Sequence, residues 1–148
     1  MEKSAEYLYA RVRSFCSYQE RSVQEVRKKL LEWKVRPEVA AKIIRTLGEE
    51  NYLNEERFAR MFAGGKFRMR KWGRNRIMAE LRARQIPELT IQIGLEEIDE
   101  HEYIKTLQML IDKKKSSIDH PDSASGRNKI YNFVLSKGFE RHLILKYL

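Results

Sequence analysis

The sequence predicts an all-α protein, an elongated array of three tandem three-helix repeats with about nine helices in all. Three observations carry that expectation. Gly73-Arg74-Asn75-Arg76-Ile77 returns 53 positions later as Gly126-Arg127-Asn128-Lys129-Ile130, and the apolar register persists beyond it, with Leu81 on Val134, Ile86 on Phe139, Ile91 on Ile144 and Leu95 on Leu148. An upstream copy is displaced by 51 positions, so that Val26, Leu30, Val35, Ile44 and Leu47 fall on Ile77, Leu81, Ile86, Leu95 and Ile98. Throughout the chain, apolar residues recur at helical spacing and strand-like alternation is absent.

The elements follow in order. Leu8, Val12 and Phe15 mark a first helix from Ala5 to Ser17. Ser22 is the expected N-cap of the second, with Glu25 three residues on as in a capping box and Val26, Leu30 and Trp33 as its stripe. Pro37 suits the first turn of a third helix that passes through Val39, Ile43, Ile44 and Leu47 to Gly48. Asn54 opens a fourth, where Glu55 and Glu56 complement the positive end of the helix dipole and Phe58, Met61 and Phe62 are expected to be buried. Gly64-Gly65 lies inside that helix, as a close-packing point or a kink. One unit is thus a longer helix followed by two short ones.

On this pattern the repeats occupy residues 1–53, 54–99 and 100–148. Gly73 and Pro87 punctuate the second. The third starts near His101 with a stripe of Tyr103, Leu107, Leu110 and Ile111. The turn-rich segment 116–125 then separates this long helix from the second glycine pentapeptide, and it is expected to be mobile. Leu143, Ile144, Tyr147 and Leu148 should dock the last helix.

Composition excludes several classes. No stretch approaches the roughly 20 apolar residues of a membrane span, so no membrane partner is expected. The start, Met1-Glu2-Lys3-Ser4-Ala5-Glu6, is polar and lacks the pattern of a secretory signal, which points to a cytoplasmic protein. Cys16 is the single cysteine, so no internal disulfide forms, and a buried helical role is expected. His101, His120 and His142 have neither the pairing nor the nearby cysteines of a zinc site. Gly64-Gly65 lacks the Lys-Ser or Lys-Thr of a phosphate loop, and no nucleophile–His–acid arrangement stands out. No enzyme, cofactor or metal is expected.

Charge gives the first functional clue. The chain has 30 Lys and Arg against 21 Asp and Glu. Between Arg57 and Arg84 stand ten basic residues, Arg57, Arg60, Lys66, Arg68, Arg70, Lys71, Arg74, Arg76, Arg82 and Arg84, against the single acid Glu80. Clustered cations of this kind suit phosphate binding or an anionic protein surface, and a merely solvated basic face is the bland alternative. Phe67 and Trp72 interleave with them, as stacking platforms or, more commonly for a helix stripe, as packing residues. The acids Glu96, Glu97, Asp99, Glu100 and Glu102 fit a helix start better than a calcium loop.

Several runs resemble one family. Tyr52-Leu53-Asn54-Glu55-Glu56-Arg57-Phe58-Ala59 followed by Gly73, Arg76-Ile77 and Leu81, the opening Arg21-Ser22-x-x-Glu25-Val26-x-x-Lys29-Leu30, and the turn Lys137-Gly138-Phe139 are similar in order and spacing to the RecX regulatory proteins of bacteria. Gln85 stands where that family commonly has glycine, and Trp33-Lys34-Val35 replaces its Lys-Gly-Phe type turn, so these two turns are expected to be built differently.

The resemblance implies a regulator of RecA, the recombinase that forms filaments on single-stranded DNA. Such a protein would lodge in the filament groove, contact successive protomers and DNA, and mainly inhibit strand exchange and ATP hydrolysis. DNA binding alone would be weak and salt-sensitive, and the regulator is expected to be a monomer. Lys66, Arg68, Arg70, Lys71, Arg74, Arg76, Arg82 and Arg84, with Lys113, Lys114 and Lys115, are the candidate contacts to the RecA filament or DNA. The alternatives are an independent helical DNA-binding module, with a helix such as Asn75 to Arg84 entering a groove, and a protein-binding scaffold that ignores DNA.

Overall fold

Side-chain caps and prolines set most of the helix starts. The computed structural model describes residues 4–148, and Met1–Lys3 of the polar start lie outside them. Among the described residues the chain is helical throughout, with nine helices and no strand. Helix α1 (Ala5–Tyr18) is capped by Ser4, α2 (Val23–Glu32) by Ser22, and α4 (Glu55–Arg70) by Asn54, each side-chain oxygen accepting a first-turn N–H. Pro37 begins α3 (Pro37–Glu49), where its missing N–H costs nothing. The others are α5 (Arg74–Ala83), α6 (Glu88–Leu95), α7 (Glu100–Ser116), α8 (Ala124–Ser136) and α9 (Arg141–Tyr147).

The repeat is visible in the backbone. Lys34, Gln85 and Gly138, related by the sequence shifts of 51 and 53, are all left-handed, with φ of 59°, 61° and 102°. Each closes the same pair of bonds: the left-handed residue's N–H donates three residues back (to Leu31, Arg82 and Leu135), and the next N–H donates five back (to Leu30, Leu81 and Val134). The expectation that the two non-glycine turns are built differently is therefore wrong. The bonding pattern is the same, and Lys34 and Gln85 absorb the strain that a Cβ brings to this conformation.

Packing divides the array unequally. Leu8, Val12, Cys16, Val26, Leu30, Val35, Ala40, Ile43, Leu47 and Leu53 form the core of the first three helices. A second, continuous core runs from Phe58 to Ile144 and joins helices α4 to α9. Within it α4 and α6 touch closely: a Cβ on Gly94 would lie 2.8 Å from that of Ala59. Gly94, rather than the Gly64-Gly65 pair, is thus the glycine that lets α4 and α6 approach, and α4 runs unbroken past that pair.

Several sequence expectations shift for packing reasons. Met61 is 60% exposed, because α4 turns Ala59, Ala63 and Phe67 inward instead. On α1 the buried stripe is Leu8, Val12 and Cys16, with Phe15 half-buried. Helices α3 and α8 are 13 residues each, longer than a short repeat helix. Helix α7 persists to Ser116 and α8 begins at Ala124, because Ser123 caps it by accepting from the Gly126 N–H. Gly126 therefore sits inside the first turn, whereas Gly73 is the N-cap of α5.

The junction between the first three helices and the rest is polar. The Val23 N–H donates to the Glu55 carboxylate at 3.1 Å. Arg57 pairs with Glu20 and donates to the Asn51 carbonyl. Arg84 approaches Glu25 at 4.0 Å.

Candidate functional site

The start of α5 organises the basic region, and it does so with no capping side chain of its own. Gly73 N–H donates to the Lys137 carbonyl at 2.8 Å and Asn75 N–H to the Gly138 carbonyl at 2.9 Å. Arg74 N–H donates to the Tyr103 hydroxyl at 2.9 Å, and that hydroxyl donates onward to Glu140. Three orphan donors of the helix start are thus satisfied by α7 and by the α8–α9 turn. Burial first, and the Glu140 hydrogen bond second, hold the Tyr103 hydroxyl well above the usual tyrosine range.

This arrangement sorts the candidate cations. Arg74 turns inward: it pairs with Glu140 at 2.8 Å and with Glu100, and its guanidinium lies 3.8 Å from the Tyr103 ring centre. It holds the second and third repeats together and presents little charge to solvent. Arg82 pairs with Glu88. Arg84 pairs with Glu80 at 3.1 Å and covers Phe62 at 4.7 Å.

The remaining cations gather at the corner between α4 and α5. Arg68 and Arg70 are exposed, and their guanidinium groups form no ion pair or hydrogen bond among the described residues. Lys71, left-handed with φ of 58°, caps α4 by donating to the Arg68 carbonyl at 3.1 Å. Lys137 reaches across from the third repeat and donates to the Arg70 carbonyl at 3.0 Å. The half-buried Trp72 ring carries Arg76 at 4.3 Å and Lys66 at 5.1 Å, with Phe62 edge-on at 6.4 Å. Trp72 is therefore a packing residue that also fixes two cations in place.

Lys137 was not among the sequence candidates. Its signal lay in the Lys137-Gly138-Phe139 turn, whose importance as a helix cap appears only when that turn is set against α4 and α5. Lys113, Lys114 and Lys115 stand apart. Lys114 is eleven residues beyond Tyr103 on α7, roughly 16 Å along the axis at 1.5 Å per residue. The acids resolve as a helix start: Asp99 caps α7 by accepting from Glu102 N–H at 2.9 Å, and Glu96 approaches Arg60 at 3.7 Å. Among the described residues no group of His, Cys, Asp and Glu could hold a metal, and no helix is long and apolar enough to cross a membrane.

Two family models match the chain, the first three-helix domain of RecX over residues 9–47 and the second over residues 54–95, together more than half of its length. Among curated proteins it is 34% identical over 134 residues to the regulatory protein RecX of Lactobacillus johnsonii, covering 88% of this chain and 48% of that one. It is 27% identical over 136 residues to the regulatory protein RecX of Bacillus cytotoxicus, covering 92% and 50%. The chain thus spans about half the length of these relatives. In fold it matches the crystal structure of RecX from Lactobacillus salivarius with a TM-score of 0.88 at 21% identity, covering 97% of this chain and 93% of that one. A second RecX crystal structure gives a TM-score of 0.87 at 20% identity, covering 97% and 70%. With the two matched domains, the shared helical repeat and these relatives taken together, the chain belongs to the RecX family of regulatory proteins.

Proposed function

We propose that this protein binds the filament that RecA forms on single-stranded DNA and mainly inhibits its strand exchange and ATP hydrolysis. Family membership supports the partner, and the α4–α5 corner supports the mode of contact. The observation that carries the reading is the pair Arg68 and Arg70, exposed and unpaired beside Lys71, Lys137 and the Trp72-bound Arg76. Such a cluster offers point charges to phosphates or to acidic walls of a protein groove, and it carries no base-reading geometry. Binding to DNA alone is then weak and falls with salt. Lys66 and Arg76 act from fixed positions, whereas Arg74 contributes by holding the corner together.

Titrating the protein into RecA hydrolysing ATP on single-stranded DNA tests the reading. Inhibition at well under one molecule per RecA protomer supports it, and its loss in R68E/R70E with unchanged helicity places the contact. An independent duplex-reading module is less well supported. It would need the first turn of α5 open to a groove, yet Tyr103, Lys137 and Gly138 occupy that turn.

A further inference from the structure

The third repeat carries a cleft that the basic corner does not explain. It has a volume of about 710 Å³ and lies between the end of α7, the connection 117–123 and the first turns of α8. That is the size of pockets that hold nucleotide-sized ligands. Phe133, half-buried, is its aromatic wall, and the Lys114 ammonium stands 5.0 Å from the ring centre. Lys129 sits one helical turn before Phe133 on the same side of α8, exposed and without an ion-pair partner. Asn132 adds an amide, and Asp119 is the only carboxylate among the lining residues.

The geometry points to a nucleotide-binding cleft in the third repeat, in which a phosphate of single-stranded DNA lies between Lys114 and Lys129 and its base rests against Phe133. The inference rests on the proposed single-stranded DNA function and gives the third repeat a contact of its own. The charge balance favours a strand over a free nucleotide. Two ammonium groups against one carboxylate match the single charge of a phosphodiester, whereas a triphosphate with its metal would call for more cations or a metal site. Flexible lysines with an aromatic wall also suit stacking that tolerates any base.

Fluorescence anisotropy of the full chain with an end-labelled oligo-dT, measured from low to moderate salt, tests this. K114A/K129A is expected to weaken binding about tenfold. It should also flatten the dependence of log affinity on log salt by about 0.7, the one phosphate held between the two lysines. F133L should weaken binding to oligo-dT but not to an abasic strand of the same length. If the wild type binds and R68E/R70E weakens it, but K114A/K129A and F133L change neither affinity nor slope, the cleft proposal is overturned and the function reading stands. A wild type that fails to bind oligo-dT at low salt overturns the cleft proposal, while the filament reading is decided separately by the RecA ATPase titration. Saturable binding of a fluorescent ATP analogue that is lost in K114A/K129A, with oligo-dT affinity unchanged, assigns the cleft to a free nucleotide and overturns the strand.

Discussion

Gly73 and Gly138 meet backbone to backbone. The Gly73 N–H reaches the carbonyl just before Gly138, and a Cβ built on Gly73 would overlap the Gly138 carbonyl group well inside van der Waals contact. A Cβ on Gly138 would in turn overlap Arg76. This contact sets the second repeat against the third and thereby puts Lys137 beside Arg70.

Gly73→Ala should therefore lower stability by about 2 kcal/mol or more, because neither backbone can yield without losing a helix cap. Gly65→Ala is the control. Its Cβ would meet nothing within 4 Å, and replacing a mid-helix glycine should raise stability by about 0.5–1 kcal/mol. Urea unfolding of the two variants checks the pair, and equal effects would contradict the close approach.

Gln85 holds a left-handed conformation that Gly138 holds at its repeat-equivalent position. Gln85→Gly should be neutral or stabilising by up to about 1 kcal/mol, since the relieved Cβ strain is partly offset by the greater freedom of glycine when unfolded. A thermal melt of Gln85→Gly that falls by several degrees would show that the side chain matters more than the turn.

Tyr103 should make the fold sensitive to alkali. Its hydroxyl is held protonated by burial and by Glu140, whereas in the unfolded chain it ionises near 10. A group whose folded pKa is raised contributes stability that is complete below the unfolded value and is lost as pH rises above it. From pH 10 to 12 stability should therefore fall by up to about 1.4 kcal/mol per pH unit from this group. Tyr103→Phe should remove that slope while costing about 1–3 kcal/mol at pH 7, where Arg74 N–H and Glu140 lose their partner. An unchanged alkaline slope in the variant would contradict the assignment.

The polar junction predicts uneven stability along the chain. Helices α1–α3 have their own core and join the rest through Glu55, Arg57 and Arg84, while α4–α9 share one core. Native-state hydrogen exchange should show α1–α3 opening at a lower free energy than α4–α9, with the gap widening in Arg57→Ala. A single opening free energy across both groups would rule this out.

Local chemistry made much of the fold legible in the sequence. Ser22 and Asn54 cap, Pro37 starts a helix, and the repeat shifts locate the equivalent turns because each acts within one turn of chain. What depended on partners distant in sequence was not legible. Arg74 reads as one cation among ten, yet Tyr103, Glu100 and Glu140 draw it inward from positions far along the chain. Met61 follows the helical stripe but faces solvent, since Gly94 brings α6 against Ala59. Lys137 reads as part of a turn until the fold sets it on the end of α4.

The most direct measurement is the ATPase of RecA on single-stranded DNA, titrated with the wild type and with R68E/R70E. Inhibition by the wild type well below one molecule per protomer, weakened at least tenfold in R68E/R70E while its circular dichroism is unchanged, is the predicted result. Equal inhibition by both proteins would contradict the role given to the α4–α5 corner, and no inhibition by the wild type would contradict the proposed function itself.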